Sequence, residues 1–309
     1  MTSRSPLTPV ALVGATASGK SSLALALARC RPELEIITVD AMQVYRGMDI
    51  GTAKPTPAEQ AEVRHHLIDV ADPGEEYAVA RWQRDARAAL ADVAARGKRA
   101  LFVGGTGLYL RSVVDDFDIP GQFLEVRAAL EGEPDTAALH ARLHGLDPLA
   151  ASRMEPTNRR RIVRALEVTL GSGRPFSSYG PGLEVYHARP AVHQVALRLA
   201  RPVLDARIDA RYEMQMDAGF LAEVRRLVTR PGGLSPSAAQ ALGYKELAAH
   251  LRGECSLTDA LALARRRTHR FARRQERWFR RDPRVVWFDV VDNSMEVLDA
   301  LLGEWDTCG

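Results

Sequence analysis

The chain of 309 residues has three cysteines, Cys30, Cys255 and Cys308, far apart and without a C-x-x-C pair or a Cys/His zinc spacing. A disulfide framework and a structural zinc site are excluded, and a reducing compartment is the expected setting. No apolar run approaches the ~20 residues that span a bilayer, so no membrane contact is expected. The opening MTSRSPLTP is too polar for a secretory signal, and the expectation is a soluble cytoplasmic protein. There are no internal repeats or low-complexity tracts, which removes solenoids and linker-like chains from consideration. Excess charge is also scarce, at a formal net +3.

That small net charge hides an asymmetry. Between Arg265 and Arg284 stand ten arginines against Glu276 and Asp282, a local +8 that leaves −5 for the rest of the chain. A concentrated basic element on a mildly acidic body fits a polyanionic partner better than a merely solvated face.

Short β-branched runs alternate with Ala/Leu/Arg-rich helical patterns. Strands are predicted at 10–14, 35–40, 66–70, 99–104, 193–199 and 284–289, and helices at 19–30, 77–96, 203–230 and 258–281. Continuous apolar strands between amphipathic helices indicate an α/β fold, a parallel sheet flanked by helices on both faces. The alternation lapses over 118–188, where helical segments precede the Gly/Pro/Ser-rich GSGRPFSSYGPG. The expected organisation is a core of 1–117 and 189–309 with a helical insertion domain at 118–188.

Residues 14–21 read GATASGKS, between the apolar VALV and a helical stretch. This fits G-x-x-x-x-G-K-[ST], a P-loop of the ATP- or nucleotide-binding type. Glycines at 14 and 19 let backbone N–H groups converge on an anion, Lys20 adds a full charge, and the Ser21 hydroxyl can ligate Mg²⁺. The second predicted strand ends at Asp40, which is expected beside the loop at the carboxyl edge of the sheet. There Asp40 can bind Mg²⁺, orient a substrate, act as a base, or simply cap a turn. A further strand ends in Gly104-Gly105-Thr106-Gly107 where a phosphate-hydrolysing P-loop enzyme would carry an acid. The glycines would permit close approach of a ligand, and Thr106 offers a hydroxyl near the phosphates or a helix cap.

Arg207 and Arg211 share a face of the helix that begins near 203. They are either phosphate ligands or surface arginines paired with Asp205 or Asp209. In the basic helix, Leu261, Ala264, Thr268, Phe271, Gln275 and Trp278 recur at steps of three and four. That stripe is expected to pack on the core, which makes Phe271 and Trp278 core residues rather than base-stacking platforms.

Several stretches together resemble one family, the tRNA dimethylallyltransferases. They are GATASGKS (14–21), DAMQVYRGMDIGTAKP (40–55), HHLIDV (65–70), YAVARWQRDA (77–86), VGGTGLYLR (103–111), NRRRIVRALEV (158–168), SGRPFS (172–177), QALGYKEL (240–247) and RFARRQERWFRR (270–281). The 40–55 block and GGTGLY are specific in combination. Ala15 stands where the family commonly has Pro, Ala41 where it has Ser, and His269 where it has Arg. Asn158 fills an acidic-or-amide position. No Cys/His finger follows, so the bacterial form is the one resembled.

The resemblance implies a P-loop kinase-like fold and transfer of a dimethylallyl group from dimethylallyl pyrophosphate to N6 of adenosine 37 in the tRNA anticodon loop. Pyrophosphate leaves, and Mg²⁺ is the cofactor. It implies Asp40 as base, with Thr106 and Arg211 also catalytic. Gly14, Thr16, Ala17, Ser18, Gly19, Lys20, Ser21 and Arg207 would bind the pyrophosphate. Contacts to tRNA would come from Asp40, Ala41, Met42, Gln43, Arg127, Thr157, Asn158, Arg159, Arg160 and Arg161, and from Arg270, Arg273 and Arg274 of the basic helix. A monomer is the expected state. The competing reading is a P-loop small-molecule or nucleotide kinase, which has no need of the arginine helix and is poorly served by Gly-Gly-Thr. A guanine-reading N/T-K-x-D element, which a GTP-binding RNA switch would carry, is absent.

Overall fold

A computed structural model describes residues 8–180, 182–183, 185–186 and 192–307. In chain order the elements are β1 (Val10–Gly14), α1 (Lys20–Cys30), β2 (Leu34–Val39), α2 (Pro57–Glu62), β3 (His65–His66), α3 (Val79–Ala95), β4 (Arg99–Gly104), α4 (Gly107–Val114), α5 (Leu124–Glu131), α6 (Thr136–Leu146), α7 (Pro148–Ser152), α8 (Arg159–Ser172), β5 (His193–Leu199), α9 (Arg201–Asp217), α10 (Phe220–Val228), α11 (Tyr244–Leu251), α12 (Leu257–Arg280), β6 (Val285–Val290) and α13 (Leu298–Thr307).

The six strands form one parallel sheet in the order β3-β2-β4-β1-β5-β6. Every residue of β1, β2 and β4 is buried, as expected of parallel strands covered on both faces by crossover helices. The run 66–70 is the exception among the predicted strands. Only His65 and His66 pair with β2, because Leu67 and Asp69 adopt left-handed backbone at φ 63° and 56° and turn the chain away. The single helix predicted over 203–230 is two helices, interrupted at Ala218 and Gly219.

Two compact units emerge, 1–114 with 188–309, and 115–187. Each has its own apolar core. That of the second unit gathers Leu130, Leu139, Leu143, Ile162, Val163 and Leu166 among α5–α8. There Glu167, fully buried, accepts the Phe123 N–H at 2.9 Å and the Arg164 guanidinium at 2.7 Å. The expected domain boundary at 188–189 falls outside the described residues.

Helix α12 presents to the first unit a spine of Ala260, Ala264, Thr268, Ala272, Gln275 and Phe279. Ala264, Thr268 and Gln275 of the predicted stripe belong to this spine, whereas Leu261, Phe271 and Trp278 flank it and are only partly buried. Small side chains at 260, 264 and 272 bring the helix backbone close to its neighbours, and Leu261 and Trp278 pack at the margin of that contact.

Candidate active site

Val13 of β1, Gly104 of β4 and Val39 of β2 lie level in neighbouring strands. The loops that follow therefore leave one edge of the sheet together. Because β4 separates β1 from β2, Asp40 is not immediately beside the phosphate loop. Two strand spacings, about 10 Å, lie between their backbones, and the Gly105–Thr106 turn fills the gap. A cleft of about 240 Å³ runs between them, lined among others by Thr16, Ala17, Gly19, Lys20, Ser21, Asp40, Gln43, Gly104 and Arg211.

In the phosphate loop Gly19 has φ 88° and Ala17 φ 64°, the latter strained for a residue with a Cβ. Lys20 donates to the Ala15 carbonyl at 2.9 Å. Burial lowers its pKa to about 8, with the charge of Arg211 acting in the same direction and Asp40 opposing both. Ser21 stands exposed on the cleft wall. Ser18, expected to line the site, is instead 1 % exposed with its hydroxyl unpartnered beneath the loop. The Thr16 N–H points away from the cleft, to Oε1 of Gln275 at 2.9 Å. From the far side Ser294 donates to the Gly19 carbonyl at 3.1 Å.

Of the roles left open for Asp40, the hydrogen bonds show the turn cap. Its Oδ1 accepts the Met42 and Gln43 N–H groups at 2.8 and 3.2 Å, the geometry of a turn aspartate. Burial nonetheless pushes its carboxyl above the usual carboxylate range, against those two N–H groups and the charges of Lys20 and Arg211. Thr106 precedes α4, but its hydroxyl accepts the Ala41 N–H at 3.3 Å, tying the Asp40 turn to the glycine-rich turn.

The two arginines of α9 separate. Arg211 enters the cleft with its Nε unpartnered, and burial lowers its pKa against the pull of Tyr212 and Asp40. Arg207 instead donates to the Asp292 carbonyl and lies outside the cleft lining. Neither pairs with the neighbouring aspartates. Asp205 faces Arg201 at 3.3 Å and Asp209 faces His269 at 3.0 Å.

The glycines of the 104–107 turn are explained by protein rather than by ligand. A Cβ on Gly105 would lie 2.1 Å from Nε2 of Gln275, one on Gly107 2.1 Å from the Trp278 indole, and one on Gly104 2.1 Å from the Val39 carbonyl oxygen. Gly105 and Gly107 pack closely against α12 and Gly104 against β2, while Gly104 also lines the cleft.

Among the residues expected at RNA, Ala41 and Met42 pack partly on the core. Gln43 donates to the Thr52 and Ala53 carbonyls at 3.0 and 3.2 Å. In the second unit Asn158 caps α8 through the Arg161 N–H, and Thr157, Arg160 and Arg161 are exposed. Arg159 donates to the carbonyls of Glu131 and Glu133, and so braces the α5–α6 turn. Arg127 pairs with Glu131 at 2.8 Å. Arg270, Arg273 and Arg274 are exposed on α12.

Sequence reasoning missed the groups that hold the 40–55 loop. Lys54 reaches the Tyr45 carbonyl and the carboxylates of Asp49 and Asp69. The buried Glu223 accepts the Asp49, Ile50 and Gly51 N–H groups. The partners of Glu223 lie more than 170 positions away in sequence, and the contacts of Lys54 follow no helical or strand spacing. Gln275, an amide beside Thr268 on a mostly apolar stripe, is the one visible signal in this region.

The isopentenyl transferase family model matches residues 9–72 and the IPP transferase family model residues 43–282. The chain is 52% identical over 294 residues to the tRNA dimethylallyltransferase of Kineococcus radiotolerans, covering 92% of each. It belongs to the tRNA dimethylallyltransferase family. It is 47% identical to the enzyme of that name from a Nocardioides species, covering 97% of each. Among solved structures, the tRNA isopentenylpyrophosphate transferase of Bacillus halodurans matches with a TM-score of 0.70 at 35% identity, covering 97% of each chain. Membership makes the chain a prenyl-transferring enzyme and disfavours the kinase reading. No helix among the described residues is long and apolar enough to cross a membrane.

Proposed function

We propose that this chain transfers a dimethylallyl group from dimethylallyl pyrophosphate to N6 of adenosine 37 in the tRNA anticodon loop. The observation that carries the reading is one cleft lined by a partly buried carboxylate, Asp40, together with two partly buried cations, Lys20 and Arg211. The N6 lone pair attacks C1 of the donor, the C1–O bond breaks, and the bonding electrons leave with pyrophosphate. N6 gives up a proton as its bond to carbon forms, and Asp40, raised by burial, is suited to take it. Lys20 and Arg211, desolvated beside the leaving group, stabilise the charge that accumulates there. Thr106 contributes a hydroxyl next to the Asp40 turn.

Ser21 presents a hard oxygen on the cleft wall one residue from Lys20. That suits Mg²⁺, which takes one or two protein oxygens and fills its remaining positions with phosphate oxygens and water. When bound, the ion neutralises negative charge on the pyrophosphate.

The adenosine must be swung out of its stack to reach Asp40. The exposed Arg270, Arg273 and Arg274 supply phosphate contacts, and Thr157, Arg160 and Arg161 of the helical unit supply others. The protein acts as a cytoplasmic monomer.

The test is transfer of labelled dimethylallyl to an anticodon stem-loop, read as a one-prenyl mass gain on adenosine after digestion. Label in RNA supports the proposal; no transfer in the presence of Mg²⁺ sinks it.

A further inference from the structure

Helix α12 joins two regions that the reaction must bring into step. Its outward faces carry the exposed arginines, Arg266, Arg270, Arg273, Arg274 and Arg277. Its inward face carries Gln275, 7 % exposed, whose amide is used at both ends. Oε1 accepts the Thr16 N–H of the phosphate loop at 2.9 Å, and Nε2 donates to the Gly105 carbonyl at 3.0 Å. These partners follow different strands, β1 and β4, so one side chain spans the gap between the loop that grips the anion and the turn that carries Thr106. Gly105 has no side chain where the amide sits, and three residues on, Trp278 closes against Gly107 in the same way. An amide offers one acceptor and one donor side by side and keeps both whatever the pH.

We propose that Gln275 is a positioning residue for prenyl transfer. It touches neither substrate. It sets the separation between the phosphate loop and the Thr106 turn, and it anchors both to the helix that carries the basic face. Because the Thr16 N–H is spent on this strut, the pyrophosphate is held by the remaining loop groups, Lys20 and Arg211. The inference rests on the prenyl-transfer reading, and the wild-type reaction run in parallel separates failure of one from failure of the other.

Gln275→Met keeps the packing volume and removes both hydrogen bonds. Donor kcat/KM is expected to fall roughly thirtyfold, the effect of losing two buried hydrogen bonds at the reacting end. Stem-loop affinity should stay within about twofold, since the arginines are untouched. Gln275→Glu supplies the second reading. Its neutral acid form offers an acceptor to Thr16 and a donor to Gly105, whereas its ionised form sets oxygen against oxygen. The ratio of its kcat to that of wild type should therefore rise as pH falls from 8 to 6. Wild-type kinetics in Gln275→Met, or RNA affinity lost in parallel with turnover, would overturn the proposal. So would a flat pH ratio for Gln275→Glu, which remains decisive if the methionine variant does not fold.

Discussion

The Glu223 carboxylate sits 2.9 Å from the Ile50 backbone nitrogen, at the base of the loop that begins with Asp40. The same side chain takes the Asp49 and Gly51 N–H groups and, at 2.6 Å, the Tyr244 hydroxyl. Glu223 is 2 % exposed, so its loss would strand four donors without water to replace it. Glu223→Ala is expected to cost about 2–4 kcal/mol, read as a lower urea midpoint at unchanged slope. Tyr244→Phe, which removes one donor and orphans no amide, should cost about 1 kcal/mol.

Asp40 calls for asparagine rather than alanine as its test. Asparagine can still accept the Met42 and Gln43 N–H groups that Oδ1 takes now, so the turn survives while the proton acceptor is lost. Transfer should fall by about 10²–10⁴, with donor and stem-loop binding nearly unchanged. Alanine would confound the loss of a base with the loss of the turn. Because burial raises the Asp40 carboxyl in the free protein, the acid limb of kcat/KM should lie above the pH at which an ordinary aspartate titrates. Asparagine turnover that matches wild type would remove Asp40 from the chemistry.

Lys20 gives a prediction on the alkaline side. Its pKa is lowered to about 8, chiefly by burial, so the free enzyme loses this charge as pH rises through 8. Binding of pyrophosphate favours the charged form and takes up a proton. Relative to Lys20→Met, affinity should hold a constant advantage between pH 6 and 7, then lose it by up to tenfold per unit above about 8, measurable by calorimetry. The stability sign is fixed by the same shift. The folded state disfavours the protonated amine, so a penalty present below about 8 fades as pH rises toward the ordinary lysine value of 10.5. Lys20→Met should remove both effects.

How much of this was legible depended on the range of the interaction. The phosphate loop shows in sequence because its glycines and lysine act within eight residues, and β1 and β4 show because continuous apolar runs have few other homes. The 66–70 run failed on two left-handed residues, Leu67 and Asp69, whose types do not announce such a turn. The strut at Gln275 joins residues 259 and 170 positions away, beyond any periodicity. In sequence Gln275 shows only as one polar member of the stripe expected to pack on the core. The glycines of the 104–107 turn show in sequence that space is needed, but not that Gln275 and Trp278 fill it at Gly105 and Gly107.

The arginines of α12 divide by what they face, and that division is testable. Arg267 pairs with Glu246, which is 1 % exposed on its side chain and also takes the Gly243 N–H at 2.8 Å. Arg270, Arg273 and Arg274 are exposed. If the latter three meet phosphates, each alanine substitution should weaken stem-loop binding and lower the slope of log K against log salt by about 0.7–0.9. Arg267→Ala should leave that slope unchanged and instead lower stability by about 2–4 kcal/mol, because it leaves Glu246 buried without its cation. Fluorescence anisotropy across a salt series, set beside urea unfolding of the same variants, reads both quantities. Equal slopes for Arg273→Ala and wild type would place the RNA away from this face, since an exposed arginine that does meet a phosphate cannot be removed without changing the number of released counterions.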